Sequence, residues 1–283
     1  MNYLFMGLCA VTLSLQSILK KAYHRKCRGG ELLFSTMVSL FALVVFLFRI
    51  KGQDFSPKIL PFAGMFAVCY AITTVAAMEA LRIGSLAITV LILSYSLVIP
   101  AVYGFLFWEE RPEVLQMIGM LCLVVSLVLT RNESNGEKKR ASAKWVIYTL
   151  AAFFTNGFCS VVQRQQQINF QGKYDTTFMI TALFLVTVFL GIVTCIREKR
   201  ELKTILCKGG YLAALCGICN GVTNLLVMVC LVSIPASVFF PIISAGQLVI
   251  VFLISLVFFR EKFIKRQIAG FVVGVAAIVF MNL

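Results

Sequence analysis

The chain has 283 residues, 60% of them hydrophobic and only 13% charged, with a mean hydropathy of +0.94. A soluble domain draws about a quarter of its residues from the charged types, so a fully water-exposed surface is excluded. The 26 lysines and arginines against 12 acidic residues give a net charge of +14. They are gathered in short stretches between apolar segments, a pattern that records topology in a membrane rather than nucleic-acid binding.

About 20 apolar residues are needed to carry a helix across a bilayer, because each backbone N–H and C=O must be paired within the helix. Read with that ruler, the sequence is an all-α integral membrane protein with ten transmembrane helices over residues 3–19, 32–48, 59–81, 85–107, 114–130, 145–162, 176–196, 211–232, 236–259 and 267–283. The first segment has no basic region before it, and Lys20 and Lys21 follow it, so it is expected to stay as a span rather than to be cleaved. Only Arg82, Gly84 and Ser85 separate the third segment from the fourth. The longest polar stretch, residues 131–144, is too short for a soluble domain. Most of the ten cysteines lie within spans, where they act as small apolar residues. Cys216 and Cys219 form a C-x-x-C inside a hydrophobic segment without polar neighbours, which favours packing over zinc or redox chemistry. A single histidine and dispersed carboxylates offer no metal cluster, so neither metal nor cofactor is expected.

Basic residues accumulate in cytoplasmic loops. The odd-numbered loops carry 20 of the 26 and the even-numbered loops 6. This predicts a plasma-membrane protein, such as one of a bacterial cytoplasmic membrane, with odd loops inside and both termini outside.

The two halves are similar to each other. At a displacement of 150 residues, Cys69 falls on Cys219, Thr73 on Thr223, Met78 on Met228, Leu81 on Leu231 and Ser94 on Ser244. At 151, Glu110 falls on Glu261, Gln116 on Gln267, Gly119 on Gly270 and Val124 on Val275. The division is thus a first five-span repeat over 1–133, a basic linker over 134–143 and a second repeat over 144–283. An odd number of spans per repeat turns the second copy upside down. Each pair of equivalent loops is indeed more basic on the side assigned to the cytoplasm. Inverted repeats are a recurrent plan of secondary transporters, with the substrate near the midplane between the halves.

The segments FLFWEERPEVLQMIGMLCLVVSLVL and LVFFREKFIKRQIAGFVVGVAAIVF each place a charged turn before a glycine-bearing helix, and Pro100 precedes Glu110 by ten residues. In these features the chain resembles the drug/metabolite transporter superfamily, in its ten-span EamA-like branch. The second half departs from strict repetition: Val251 stands opposite Pro100, and its proline is Pro241.

Polar residues inside spans are costly unless they face protein or water, so their helical phase marks the interior. Tyr70, Thr73 and Thr74 share one face of the third segment, and Asn220, Thr223 and Asn224 repeat the spacing in the eighth. Gln16, Ser17 and Lys20 form a stripe in the first segment, and Asn156, Cys159, Ser160 and Gln163 another in the sixth. Ser94 and Tyr95 in the fourth segment and Ser244 and Gln247 in the ninth complete a cavity lining. The competing reading is that these groups tie helices together at ~0.6–2 kcal/mol each, and a hydroxyl satisfied by its own helix fits that reading well. A carboxamide has up to four bonding sites to satisfy, which favours the cavity for Gln16, Asn156, Asn220, Asn224 and Gln247. Glu79 is the acidic residue placed well within a span. It is either a proton-coupling carboxylate or the partner of Arg82, three residues on. Gly119, Gly270 and Gly274 are expected to let the fifth and tenth segments approach closely. Glu110 and Glu261 are expected near the positive ends of those helices.

The function expected is secondary transport of a small polar metabolite, amino acid-like or related, by alternating access and in the export direction. Its partners are that solute and membrane lipid, not nucleic acid, and the protein is a monomer or weak homodimer. Proton-coupled export of amines or drugs is the alternative. A membrane enzyme acting on lipids would require clustered His, Asp or Glu at the interface, which the sequence lacks.

Overall fold

The computed structural model describes residues 2–27, 29–48, 54–107, 114–130, 142–171, 173–198, 202–233, 236–261 and 263–280. Among these residues there are helices and connecting turns and no strand. The helices are α1 (Asn2–Lys26), α2 (Glu31–Leu47), α3 (Leu60–Ile83), α4 (Leu86–Ser94), α5 (Val98–Phe107), α6 (Val114–Thr130), α7 (Ala143–Phe170), α8 (Asp175–Arg197), α9 (Leu202–Ser233), α10 (Ala236–Val257) and α11 (Lys265–Phe280). Each apolar segment maps to a helix, and the fourth is divided into α4 and α5. Among the described residues, six stretches are long and apolar enough to cross a membrane: Leu4–Lys26, Pro57–Ile83, Leu86–Gly104, Ala143–Phe170, Asp175–Arg197 and Leu206–Val227. Shorter apolar helices cover Glu31–Leu47 and Ile243–Val257.

Several helices outrun their apolar cores. The first ends at Lys26, not residue 19, because lysine and arginine are good helix formers and their charges suit a helix C-terminus. The turn into α2 needs backbone that only glycine adopts readily: Gly29 and Gly30 have φ of 113° and 78°. The Tyr23 hydroxyl fastens it by donating to the carbonyls of Gly29 (2.8 Å) and Gly30 (3.0 Å). Between α3 and α4 the chain turns on Gly84 and Ser85, as the sequence suggests, and Ser85 Oγ accepts from the Ile88 amide. The break between α4 and α5 is a 3-10 turn over Tyr95–Leu97. Pro100 explains it, since a proline cannot donate to the carbonyl four residues earlier, here that of Ser96.

The helices pack as a pseudo-symmetric exchange between halves. Helix α3 packs on α7 as α9 packs on α1; α2 packs on α9 as α8 packs on α3; and α1 lies on α10 as α7 lies on α4 and α5. Helices α2 and α8 pack directly on each other, as do α6 and α11. Both of these equivalent pairs run antiparallel. In the first, Thr36 meets Thr194 (2.9 Å) while Ser39 meets Thr187 (3.0 Å). In the second, Ser126 donates to the Gly270 carbonyl (2.6 Å) and Arg266 to that of Val128 (2.9 Å). A twofold axis along the helices would make equivalent partners parallel. Antiparallel partners require an axis across them, so the second repeat is inverted.

The outer surface is apolar. Leu4, Leu8, Val11 and Leu15 on α1, Leu121, Val125 and Val128 on α6, and Phe184, Val188 and Ile192 on α8 are all exposed. An apolar belt of this extent exceeds what a soluble monomer presents, and lipid is the solvent that accommodates it.

Candidate functional site

The polar residues of α1, α3 and α9 meet in one hydrogen-bonded network. The Tyr70 hydroxyl donates to Asn220 Oδ1 (2.9 Å), Asn220 Nδ2 donates to Gln16 Oε1 (3.0 Å), and Gln16 Nε2 donates to Thr223 Oγ1 (3.0 Å). Thr223 then donates to Thr12 (2.8 Å). Asn224 Nδ2 reaches the Asn220 carbonyl (2.9 Å) and its Oδ1 (3.2 Å). Gln16 and Thr223 are buried, while Tyr70, Asn220 and Asn224 are half-buried. The chain of donors thus runs from a surface that remains open into a closed core.

A second cluster repeats the arrangement in the opposite half. Thr73 on α3 meets Thr155 on α7 (2.7 Å), just as its repeat equivalent Thr223 meets Thr12. Displacing α1 by 143 residues carries Thr12 onto Thr155, Gln16 onto Cys159, Ser17 onto Ser160 and Lys20 onto Gln163. The backbone contacts follow the same register: Cys216 Sγ donates to the Gln16 carbonyl and Cys159 Sγ to that of Phe66. The polar stripe is therefore one design used twice, with a carboxamide at position 16 and a thiol at 159. Asn156 Nδ2 donates to Ser96 Oγ (2.6 Å), joining α7 to the 3-10 turn. Gln247 Nε2 lies 3.4 Å from Ser17 Oγ.

Other expected site residues are not drawn into these clusters. Tyr95 is buried with its hydroxyl on Ser126 of α6. The 3-10 turn changes the helical phase there, so Ser96 rather than Tyr95 faces α7. Ser94 and Thr74 return their hydroxyls to the carbonyls of Val90 and Tyr70 on their own helices. Ser244 is buried on α10 and Gln163 half-buried on α7. Thr12, Thr155 and Ser96 belong to the clusters and escaped the sequence argument. A lone hydroxyl in an apolar helix carries no periodic signal, and only the 143-residue register pairs Thr12 with Thr155.

At the basic end the chain is tied across the repeats. Glu198, at the end of α8, accepts from the amides of Leu32 (3.3 Å) and Leu33 (2.9 Å) at the start of α2. Glu261 accepts from the Leu86 amide (2.8 Å) and Ser85 Oγ (2.6 Å) at the start of α4, and also from Ser255 Oγ. This corrects the expectation that Glu261 serves its own helix: it caps a helix of the other repeat, and Gln267 Oε1 accepts from Ile264 N (3.2 Å) at the start of α11. Glu110 lies outside the described residues. Arg25 donates to the Phe259 carbonyl (2.8 Å) and stacks over that ring at 4.5 Å. Glu79 pairs with Arg82 at 3.5 Å, and Arg82 also pairs with Glu31 at 3.2 Å. Glu31 is buried beside His24, at 3.8 Å from its Nδ1, a buried carboxylate that the sequence reading did not single out. The second apolar segment begins at residue 32, which leaves Glu31 just outside it.

Gly119 and Gly270 are buried where α6 meets α11, and Gly270 lends its carbonyl to Ser126. A Cβ at Gly274 would lie 2.2 Å from the Tyr95 hydroxyl and 2.7 Å from Ser126 Oγ, so only glycine allows α11 to come this close. No group of three or more metal-binding side chains is found among the described residues.

These features define a polytopic helical membrane protein of two inverted repeats with polar side chains gathered where the repeats meet. The sequence profile of the EamA-like transporter family matches residues 2–132 and, a second time, 143–283. The chain belongs to the EamA-like transporter family and is a multi-pass membrane transporter of the drug/metabolite type. A solved structure, titled only as the crystal structure of a protein, superposes with a TM-score of 0.56 at 14% identity, covering 98% of this chain and 97% of that one. That likeness concerns the fold alone. No curated protein matches the chain.

Proposed function

We propose that this transporter is a secondary carrier that moves a small polar organic metabolite, amino acid-like or related, across the plasma membrane by alternating access. The observation that supports this most is the Tyr70–Asn220–Gln16–Thr223 network, which joins α1 and α3 of one repeat to α9 of the other at their interface. Residues that bind solute at such a place feel both repeats, so the movement of one repeat against the other re-exposes them on the opposite side. The binding residues in this reading are Gln16, Tyr70, Thr73, Asn156, Asn220, Thr223, Asn224 and Gln247. Tyr95, Ser94 and Thr74 serve helix packing. The basic end faces the cytoplasm, ten crossings put both termini outside, and the direction is export. The carrier works as a monomer in lipid, with no catalytic step.

Glu79, 3.5 Å from Arg82, is read as the ion-pair partner of that residue rather than as a coupling site. The test is a thermal-stability screen of the purified protein against amino acids, nucleosides, sugars and amines, followed by flux measurements with the solutes that stabilise it. Stabilisation by a polar solute that is lost in Asn220→Ala supports the site. Stabilisation that survives Asn220→Ala and Gln16→Ala together refutes it.

A further inference from the structure

The chain has one histidine, His24, and the carrier reading gives it no task. It sits in the last turn of α1, at the basic end, with its side chain only 6% exposed. Neither ring nitrogen has a hydrogen-bond partner among the described residues. A neutral imidazole carries one N–H and one lone pair, so either tautomer leaves a buried donor and a buried acceptor unanswered. Such groups cost about 1–3 kcal/mol each when buried without a partner. The edge of the Tyr23 ring closes the corner, with ring centroids 5.7 Å apart. The ligand that can reach the ring in so closed a place is a proton.

The charged groups around the ring come from several helices. From α2, Glu31 Oε1 lies 3.8 Å from His24 Nδ1, and the Glu31 side chain is 9% exposed. From α3, Arg82 Nη1 lies 3.2 Å from that same oxygen and 3.5 Å from Glu79 Oε2, and the Met78 backbone faces the ring. On α1 itself, Lys21 is committed to the carbonyls of Leu81 and Gly84 and faces Glu261. Arg25 and Lys26 turn to Phe259 and Tyr211, and Lys208 of α9 lies by Cys27. Glu198, at the end of α8, faces Glu79 and is answered by the amides of Leu32 and Leu33. Glu31 and Glu79 are thus left to share Arg82, whose side chain is 50% exposed. A buried carboxylate so weakly compensated is costly, and a proton on His24 supplies the missing positive charge.

We propose that His24 and Glu31 form a proton-operated latch that fastens α1, α2 and α3 to one another at the basic end. A proton from water at that end adds to the lone pair of the ring, no other bond changes, and the imidazolium donates from Nδ1 to Glu31 Oε1. Charge-assisted hydrogen bonds of this kind are ~2.7–2.9 Å long, so the 3.8 Å contact closes by about 1 Å. Helices α1 and α3 also carry Gln16 and Tyr70 of the polar network, and Gln16 lies about 12 Å from His24 along α1. Acid at the basic end favours the fastened helices, and loss of the proton as pH rises frees them. In the carrier reading above, on which this consequence alone rests, acid on that side brakes the passage of solute between the network and the basic end.

Because His24 is the sole imidazole in the chain, the full-length protein, purified without a histidine tag and isotope-labelled at histidine, gives a single titration curve by NMR. The ring should titrate between about pH 4.5 and 7.5. Glu31→Gln should lower the midpoint by about one pH unit, a tenfold loss of proton affinity, and Arg82→Gln should raise it. A ring that does not titrate in that range, or a midpoint unmoved in Glu31→Gln, overturns the latch. The unaltered protein supplies the first of these results even if Glu31→Gln fails to fold. Amide hydrogen exchange, corrected for its intrinsic pH dependence, reads the fastening itself. Residues 20–26, 31–36 and 78–83, at the basic ends of α1, α2 and α3, should exchange several-fold more slowly at about pH 5.5 than at about pH 7.5, and His24→Gln should remove the difference. Equal protection at both pH values, or a difference that persists in His24→Gln, overturns the latch. Both measurements are made without solute, so they decide the latch whether or not the carrier reading survives its counterflow test.

Discussion

Asn220 has two duties that a single substitution separates. It accepts from Tyr70 and Asn224 and donates to Gln16, so it both ties α1, α3 and α9 together and presents polar atoms at the interface. The tie is worth ~0.6–2 kcal/mol in a membrane protein, a small part of the stability of a chain this size. Asn220→Ala should lower solute affinity about tenfold, equivalent to ~1.4 kcal/mol, while the yield of folded protein stays near normal. Loss of folded protein with intact affinity in what remains would make Asn220 purely structural. Glu79→Gln should leave the pH dependence of flux within about twofold of the original, because an exposed-side ion pair contributes ~0–1 kcal/mol. A pH dependence that disappears in Glu79→Gln would return this residue to the coupling role. Much of this was legible in the sequence: Tyr70, Asn220 and Gln16 announce themselves as large polar groups at helical spacing in apolar runs. Tyr95, expected in the cavity lining, has its hydroxyl on Ser126 instead, and the 3-10 turn over Tyr95–Leu97 was not foreseen in a segment read as one span.

At the scale of elements, the pairing of α6 with α11 is set by side-chain size. Gly274 admits the Tyr95 hydroxyl and Ser126 Oγ into the space a Cβ would fill, while Ser126 donates to the Gly270 carbonyl. Gly274→Ala should cost about 1–3 kcal/mol, the usual range for overpacking. In the background of Tyr95→Phe, which removes the nearest atom, the cost should fall measurably. Thermal melts of the two single variants and the double variant check this as a coupling energy; strict additivity would place the strain elsewhere. The G-x-x-x-G spacing made this contact foreseeable. What the sequence could not reveal is that Glu261 leaves its own helix for α4. Helix-terminus propensity is local, and the choice between two nearby N-termini is made only when the repeats pack.

For the whole molecule, the inversion of the repeats was read first from loop charge and then, independently, from the antiparallel course of equivalent helices. In the structure, the first, third, seventh and ninth loops converge at one end through Glu198, Glu261 and Arg25. A reporter fused after Leu283 that is active only outside the cytoplasm should therefore be active; an inactive one, with a cytoplasm-specific reporter active at the same place, would reverse the assigned orientation. The register that carries Gln16 onto Cys159 shows where sequence similarity fades. The same helix position supplies a network-forming carboxamide in one half and a small thiol in the other, so identity is lost while geometry is kept.

The central claim is that solute bound between the repeats crosses only with a conformational exchange. Counterflow in proteoliposomes made with the purified protein measures this directly. Internal unlabelled solute should accelerate entry of the same labelled solute several-fold, and in Asn220→Ala the acceleration should need about tenfold more solute. Labelled entry that rises linearly with concentration and is indifferent to solute on the other side would mean a passive pore, and would contradict the account.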